Sequence, residues 1–286
     1  LSAARQVKII ECPRDAMQGL HHFIPTQTKT DYINALLEVG FDTIDCGSFV
    51  SPKAIPQLRD TAEVLEGLNQ SQSQLLVIIA NVRGAEDAVK HQRIKYLGFP
   101  FSVSETFQLR NTNSSILQSF ENVKVIQEIC LKHHKELVIY LSMGFGNPYG
   151  DAWNADIVGG WTDKIQSLGV KIISLADTVG VAKPTDIHYI FTHLIKEFNN
   201  VEFGAHLHCT PFDWQEKIHA AFTAGCNRFD AAIKGLGGCP MAEDKLTGNL
   251  ATENLVKYLL QNNVTVKLDM EKFNRCIVNS AEVFNQ

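Results

Sequence analysis

Two histidines separated by one residue, His206 and His208, end a short run that reads as an extended strand from Glu202 to His208. Side chains in a strand repeat every two residues, so both imidazoles project to the same face. Paired imidazoles are half of a metal centre. A carboxylate from another strand end would complete a two-His, one-carboxylate set with positions left open for substrate, which suits Mg²⁺, Mn²⁺ or iron better than closed structural zinc. Asp15 is the favoured carboxylate; the competing reading is one hydrogen-bonded core histidine and one surface histidine. Arg14 adjoins Asp15 and is permanently cationic, suited either to stabilising a developing enolate or carboxylate oxygen or to a salt bridge across the site. Cys239 ends the run Gly235-Leu236-Gly237-Gly238-Cys239. Such a glycine-rich loop can fold over a bound molecule and bring a thiol to the reacting centre, provided a metal or Arg14 supplies positive field. The loop has neither a Gly-Lys-Ser/Thr ending nor a G-x-G-x-x-G pattern, so it is not a Walker loop and predicts no nucleotide redox cofactor.

These residues must be held by something, and the chain alternates short β-branched runs with amphipathic stretches throughout. Strands are predicted at Val7–Glu11, Thr43–Cys46, Leu75–Ala80, Lys95–Gly98, Leu137–Ser142, Lys171–Leu175, Glu202–His208 and Arg228–Ala232. Helical periodicity marks Asp31–Val39, with Ile33, Leu36 and Leu37 on one face, and Phe120–His133, with Val123, Ile126 and Ile129. Gly40, Gly169 and Gly225 are placed to end helices, and Met270–Phe284 reads as a last helix. Eight β/α units favour a closed parallel (β/α)₈ TIM barrel over a doubly wound sheet, spanning residues 1–286 with 265–286 as a C-terminal helical extension. In a barrel the chemistry sits where strands end. The residues there are polar: Arg14 and Asp15 after the first strand, Asp45 and Ser48 at the second, Asn81 at the third, Ser142 at the fifth, Asp177 and Thr178 at the sixth. Ser48, Asn81, Ser142, Asp177 and Thr178 are therefore candidate substrate contacts.

Composition excludes other classes. A hydrophobic fraction of 45% with 20% charged residues supplies a large core and argues against disorder. The net charge of −5 and scattered lysines offer no basic stripe for nucleic acid or an anionic membrane. No apolar run approaches the ~20 residues of a membrane span, and the first residues lack a signal-peptide core. Seven cysteines, dispersed and odd in number, fit a reducing cytoplasm.

Taken together the motifs resemble the 3-hydroxy-3-methylglutaryl-CoA lyase family, within a wider group of metal-dependent barrels that includes isopropylmalate and homocitrate synthases. The resemblance rests on Pro13-Arg14-Asp15, Ser48-Phe49-Val50-Ser51-Pro52-Lys53, Ser104-Glu105-Thr106-Phe107, Ser174 to Gly180, His206-Leu207-His208, Gly235 to Pro240, and Gly248-Asn249-Leu250-Ala251-Thr252-Glu253. It implies a divalent cation, Mg²⁺ or Mn²⁺, on Asp15, His206, His208 and Asn249, with Arg14 on the enolate and Cys239 in proton transfer. It also implies an acyl-CoA thioester as partner, with a homodimer compatible. The chain departs from the family pattern in places. Its first motif, Glu11-Cys12-Pro13-Arg14-Asp15-Ala16-Met17-Gln18, is one residue shorter and lacks both glycines, Asp45 stands for the usual Glu, and Cys209 for the usual Asp.

The implied reaction removes a proton from a chelated tertiary hydroxyl, collapses the alkoxide to a ketone and expels a thioester enolate. Asp45, Cys239 and a metal-bound water all remain open as proton carriers. Rival readings are an acetyl-CoA-dependent Claisen condensation, a pyruvate-type aldolase, and a catalytically silent scaffold barrel.

Overall fold

The computed structural model describes residues 5–238 and 247–284. Its strands are β1 (Lys8–Glu11), β2 (Thr43–Ser48), β3 (Gln74–Ile78), β4 (Ile94–Ser102), β5 (Glu136–Ser142), β6 (Ile172–Asp177), β7 (Glu202–Leu207) and β8 (Arg228–Ala231). Each pairs in parallel with its sequence neighbour, and β1 pairs with β8, so the sheet closes. The helices are α1 (Pro13–Gln18), α2 (Thr26–Leu37), α3 (Thr61–Glu66), α4 (Val82–Ala88), α5 (Glu105–Thr112), α6 (Ile116–Lys132), α7 (Ala155–Ser167), α8 (Pro184–Glu197), α9 (Trp214–Thr223), α10 (Thr252–Gln261) and α11 (Met270–Phe284). The chain is thus a TIM barrel with an additional C-terminal helix, and α11 has the predicted bounds.

The strand period divides the apolar residues into two layers. Phe229 and Ala231 of β8 face outward into the main core between sheet and helices. Inside the barrel lie two smaller apolar groups, Leu76, Ile78, Tyr96, Val138, Tyr140 and Ile172 in one, Ile10, Cys12 and Ala232 in the other. Buried polar side chains, among them Asp45, Ser174, Arg228 and Asp230, occupy the remaining interior. Such burial is costly unless each group is paired.

Several bounds differ from the sequence reading, α2 beginning at Thr26 rather than Asp31 and β2 running on to Ser48 among them, and three differences have a clear local cause. β4 runs four residues past the predicted Gly98, through Pro100. Its β3 neighbour stops at Ile78 opposite Gly98, while Pro100 pairs only with Tyr140 of β5, so the missing N–H breaks no ladder bond. α6 begins at Ile116 rather than Phe120, because Ser115 and Gln118 form a reciprocal capping box. α5 was not predicted. It is capped by Ser104 and held by Asp151, which accepts from Ser104 Oγ (2.5 Å), Thr106 N (2.9 Å) and Thr106 Oγ1 (2.9 Å).

Candidate active site

Arg14 and Asp15 sit on α1, a turn and a half of helix entered through Pro13, rather than on an open loop. Proline at the first helical position costs no hydrogen bond, so the chain turns directly off β1 and sets both side chains over the barrel mouth. His206 of β7 and His208, one residue past the strand's end and bridged to Asn249, reach the same mouth, their rings 5.5 Å apart between centroids. One ligand-capable atom each from Asp15, His206 and His208 lies within 4.8 Å of the others. All three line a cavity of about 330 Å³ whose other walls include Val50, Ile55, Ile78, Pro100, Tyr140, Ser142 and Thr178, closed on one side by Phe107, Asn111 and Thr112 of α5.

The electrostatics suit a cation. Burial pushes the Asp15 carboxyl up, but Arg14, His206, the Asn249 amide and His208 outweigh it and hold Asp15 below the usual carboxylate range. Burial, and next the charge of His206, push His208 down to about 4, so its lone pair is free near neutral pH. Burial also opposes protonation of His206, yet Asp230 at its Nδ1 raises it overall. Asn249 adjoins the group, its Nδ2 donating to Asp15 Oδ2 (2.5 Å) and to the Leu236 carbonyl (2.8 Å), so that only its Oδ1 could be offered to a cation. Gly237 sits directly against this cluster with φ +96°. A Cβ there would lie 2.7 Å from Asn249 Nδ2 and 2.8 Å from the Asp15 carbonyl, so no other residue fits. The donor set of one carboxylate, two imidazoles and one amide oxygen matches a hard or borderline divalent cation.

Arg14 is fixed from behind. Its Nε donates to Asp45 Oδ1 (3.2 Å) and Oδ2 (2.9 Å), and its Nη2 to Asp45 Oδ2 (2.6 Å). Nη1 donates to Asp15 Oδ1 (2.9 Å) and Gln18 Oε1 (2.8 Å). Burial lowers the guanidinium's pKa, but Asp45 and Asp15 together raise it well above its ordinary value. Of its five N–H groups, one Nη2 hydrogen has no acceptor among the described residues. That hydrogen is what Arg14 can offer a substrate oxygen.

The HMGL-like family pattern matches residues 6–277. The chain belongs to the HMGL-like family. The mitochondrial hydroxymethylglutaryl-CoA lyase of Macaca fascicularis is 35% identical over 90% of this chain and 79% of its own length. The cytoplasmic 3-hydroxy-3-methylglutaryl-CoA lyase of Rattus norvegicus is 33% identical over 93% of this chain and 78% of its own. Among solved structures, the HMG-CoA lyase of Bacillus subtilis superposes with a TM-score of 0.93 at 29% identity, covering 100% of this chain and 96% of that one. The HMG-CoA lyase of Acinetobacter baumannii, solved with coenzyme A and 3-methylmalate, gives 0.92 at 31% identity, covering 98% and 92%. This HMGL-like chain is an enzyme, a carbon–carbon lyase of that type.

Within this HMGL-like barrel the other expected residues divide. Ser142 and Thr178 line the cavity, although the Thr178 hydroxyl also accepts from Met143 N at 2.9 Å. Asp45 is fully buried behind Arg14, and burial pushes it up to about 6 against the pull of that guanidinium. Three candidates for substrate contact are otherwise employed. Ser48 is buried and accepts from Val50 N (3.1 Å). Asn81 is the exposed N-cap of α4, accepting from Gly84 N (2.9 Å). Asp177 is 1% exposed and paired to Lys217 Nζ at 2.8 Å. None of the three lines the cavity, because strand-end position alone does not tell a cap or a core ion pair from a substrate contact. Cys239 lies outside the described residues.

The sequence reading missed Gln18, Tyr140, Lys217, Asp230 and the α5 wall. Two had a signal. Lys217 falls on the apolar face of α9 with Ile218, Ala220 and Ala221, where an unpaired ammonium would not be tolerated; it also donates to the His208 carbonyl at 2.9 Å. Asp230 shares the inward phase of β8 with Arg228.

Proposed function

We propose that this lyase cleaves 3-hydroxy-3-methylglutaryl-CoA to acetoacetate and acetyl-CoA, with Mg²⁺ or Mn²⁺ held by Asp15, His206, His208 and Asn249. The observation that carries this reading is the convergence of the Asp15, His206 and His208 donor atoms within 4.8 Å at a cavity that Arg14 also lines. A divalent cation there supplies Lewis acidity to a chelated hydroxyl, which makes that proton removable near neutral pH. Asp45 and Gln18 hold Arg14 so that its remaining Nη2–H meets the oxygen of the departing thioester enolate without reorganisation. Val50, Ile55, Ile78, Pro100 and Phe107 keep water from the enolate, and the cavity volume of about 330 Å³ suits the acyl group. Ser142 and Thr178 offer the polar contacts for the acyl carboxylate.

Cys239, two residues after Gly237 in sequence, is the proton carrier in this reading, since Asp45 is committed to Arg14 and does not line the cavity. Cys12, Cys46, Cys130, Cys209, Cys226 and Cys276 are free thiols, which fits action in a reducing cytoplasm. The purified chain, supplied with Mn²⁺ or Mg²⁺ and hydroxymethylglutaryl-CoA, should release acetoacetate and stop when the metal is chelated. Failure with metal bound, together with turnover of 4-hydroxy-2-oxo acids, would transfer the site to the aldolase reading.

A further inference from the structure

β8 places two charged residue types where a barrel interior is normally filled by aliphatic side chains. Phe229 and Ala231 take the outward phase, so Arg228 and Asp230 take the inward one, at 0% and 2% exposure. Room for them comes from Gly204 on β7, in register with Arg228. A Cβ at Gly204 would lie 2.9 Å from Ser174 Oγ and 3.1 Å from Arg228 Cδ. Asp230 is in register with His206, and its Oδ2 lies 3.1 Å from His206 Nδ1 and accepts from Ser174 Oγ at 3.2 Å. Asp230 Oδ1, Tyr140 Oη, and Arg228 Nε and Nη2 are buried with no hydrogen-bond partner among the described residues. Burying polar atoms unpaired is costly, so this arrangement is a poor way to fill space.

We propose that Asp230 is a positioning residue: it holds the Nδ1–H of His206, fixing ring orientation and tautomer so that Nε2 is presented at the barrel mouth. This rests on the cation site proposed above, and it adds an asymmetry to that site. For His208 the corresponding neighbour is a backbone carbonyl, that of Thr178, a group no substitution removes. His206 depends on a side chain. A carboxylate behind a metal-binding imidazole orients the ring and raises its basicity, and losing such a partner typically weakens metal binding about 10–100-fold.

The test uses the full chain and Mn²⁺ alone, with free Mn²⁺ counted by electron paramagnetic resonance. Asp230→Ala should weaken Mn²⁺ binding about 10–100-fold. Asp230→Asn, which keeps the volume and one acceptor oxygen, should fall between it and wild type and serves if the alanine variant does not fold. Ser174→Ala removes the other partner of the same oxygen and leaves His206 untouched, so it should bind within about twofold of wild type. Saturating Mn²⁺ should restore kcat in Asp230→Asn with KM for the thioester unchanged, a split that mere destabilisation of the barrel does not produce. In ¹⁵N-histidine spectra the signal lost in His206→Gln should report an Nδ1–H ring in wild type and a mixed tautomer in Asp230→Asn. Wild-type affinity and an unchanged tautomer in a folded Asp230→Asn would overturn the proposal while leaving the cation site standing. Absence of Mn²⁺ binding by wild type itself would instead overturn the site, and this role of Asp230 with it.

Discussion

The two ends of the barrel carry similar residue types and behave differently. At the end where the strands start there is a hollow of about 450 Å³, larger than the one at the other end, lined by Lys8, Asp42, Glu202, Asn227 and the segment from Thr265 to Leu268. Its ion pairs join Lys8 to Glu202 at 2.7 Å and Lys95 to Glu136 nearby at 2.6 Å, on side chains that remain 34–42% exposed, and the other Glu202 oxygen lies 3.4 Å from the buried Arg228. At the opposite end, Arg14, Asp15, Asp45, His208 and Asn249 are all below 9% exposed and contact one another through shared partners. Solvent screens the first set and leaves each pair with little consequence. The second set is dry, so every charge moves its neighbours' pKa values and their geometry is over-determined. Neither volume nor charge count distinguishes a reactive end of a barrel; desolvation with convergence does.

The strongest test of this contrast is Arg14→Lys. An ammonium cannot span both Asp45 oxygens and still offer a donor to substrate, so we expect Mn²⁺ binding to persist while turnover falls about 10²–10³-fold. Acetoacetate release measured beside Mn²⁺ titration would show it. A variant within a few-fold of wild type would reduce the Arg14–Asp45 pair to the status of Lys8–Glu202.

A second test asks whether desolvation at the reactive end is visible in stability. Glu11 is 1% exposed, accepts from Ile233 N at 2.9 Å and lies 2.6 Å from Thr252 Oγ1, tying β1 to the base of the Gly235–Gly238 loop. Burial pushes its carboxyl up to about 8 from an ordinary 4.5. The folded chain therefore keeps a proton that the unfolded chain releases, so this group's contribution to stability falls as pH rises from about 4.5 through about 8, by an amount on the order of a few kcal/mol. Glu11→Gln cannot titrate. Its Tm should fall less steeply across that window than wild type's, and parallel Tm-against-pH curves would contradict the burial argument.

The smallest effect belongs to the other end. Lys8→Ala should change stability by no more than about 1 kcal/mol in chemical denaturation and leave turnover unaltered. A loss of activity there would mean that the two ends communicate.

Much of this molecule is written in local patterns. The two-residue period of His206 and His208, the adjacency of Arg14 and Asp15, and the glycines after Gly235 are readable because a strand or a turn imposes its geometry within a few residues. Helix-ending glycines are equally local, and Gly40, Gly169 and Gly225 take the left-handed φ values expected of them, +92°, +86° and +105°. The alternation of strand and helix determined the architecture for the same reason. What only the closed barrel decided is which polar residue meets which. Asp45 braces Arg14 across 31 residues, Asp230 braces His206 across 24, and Lys217 takes Asp177 across 40, whereas Asn81 spends its side chain on its own helix. Those pairings depend on inter-strand register and helix placement, which chain spacing does not encode. A strand-end polar residue thus becomes a cavity-lining group, a brace or a cap according to what closure brings against it.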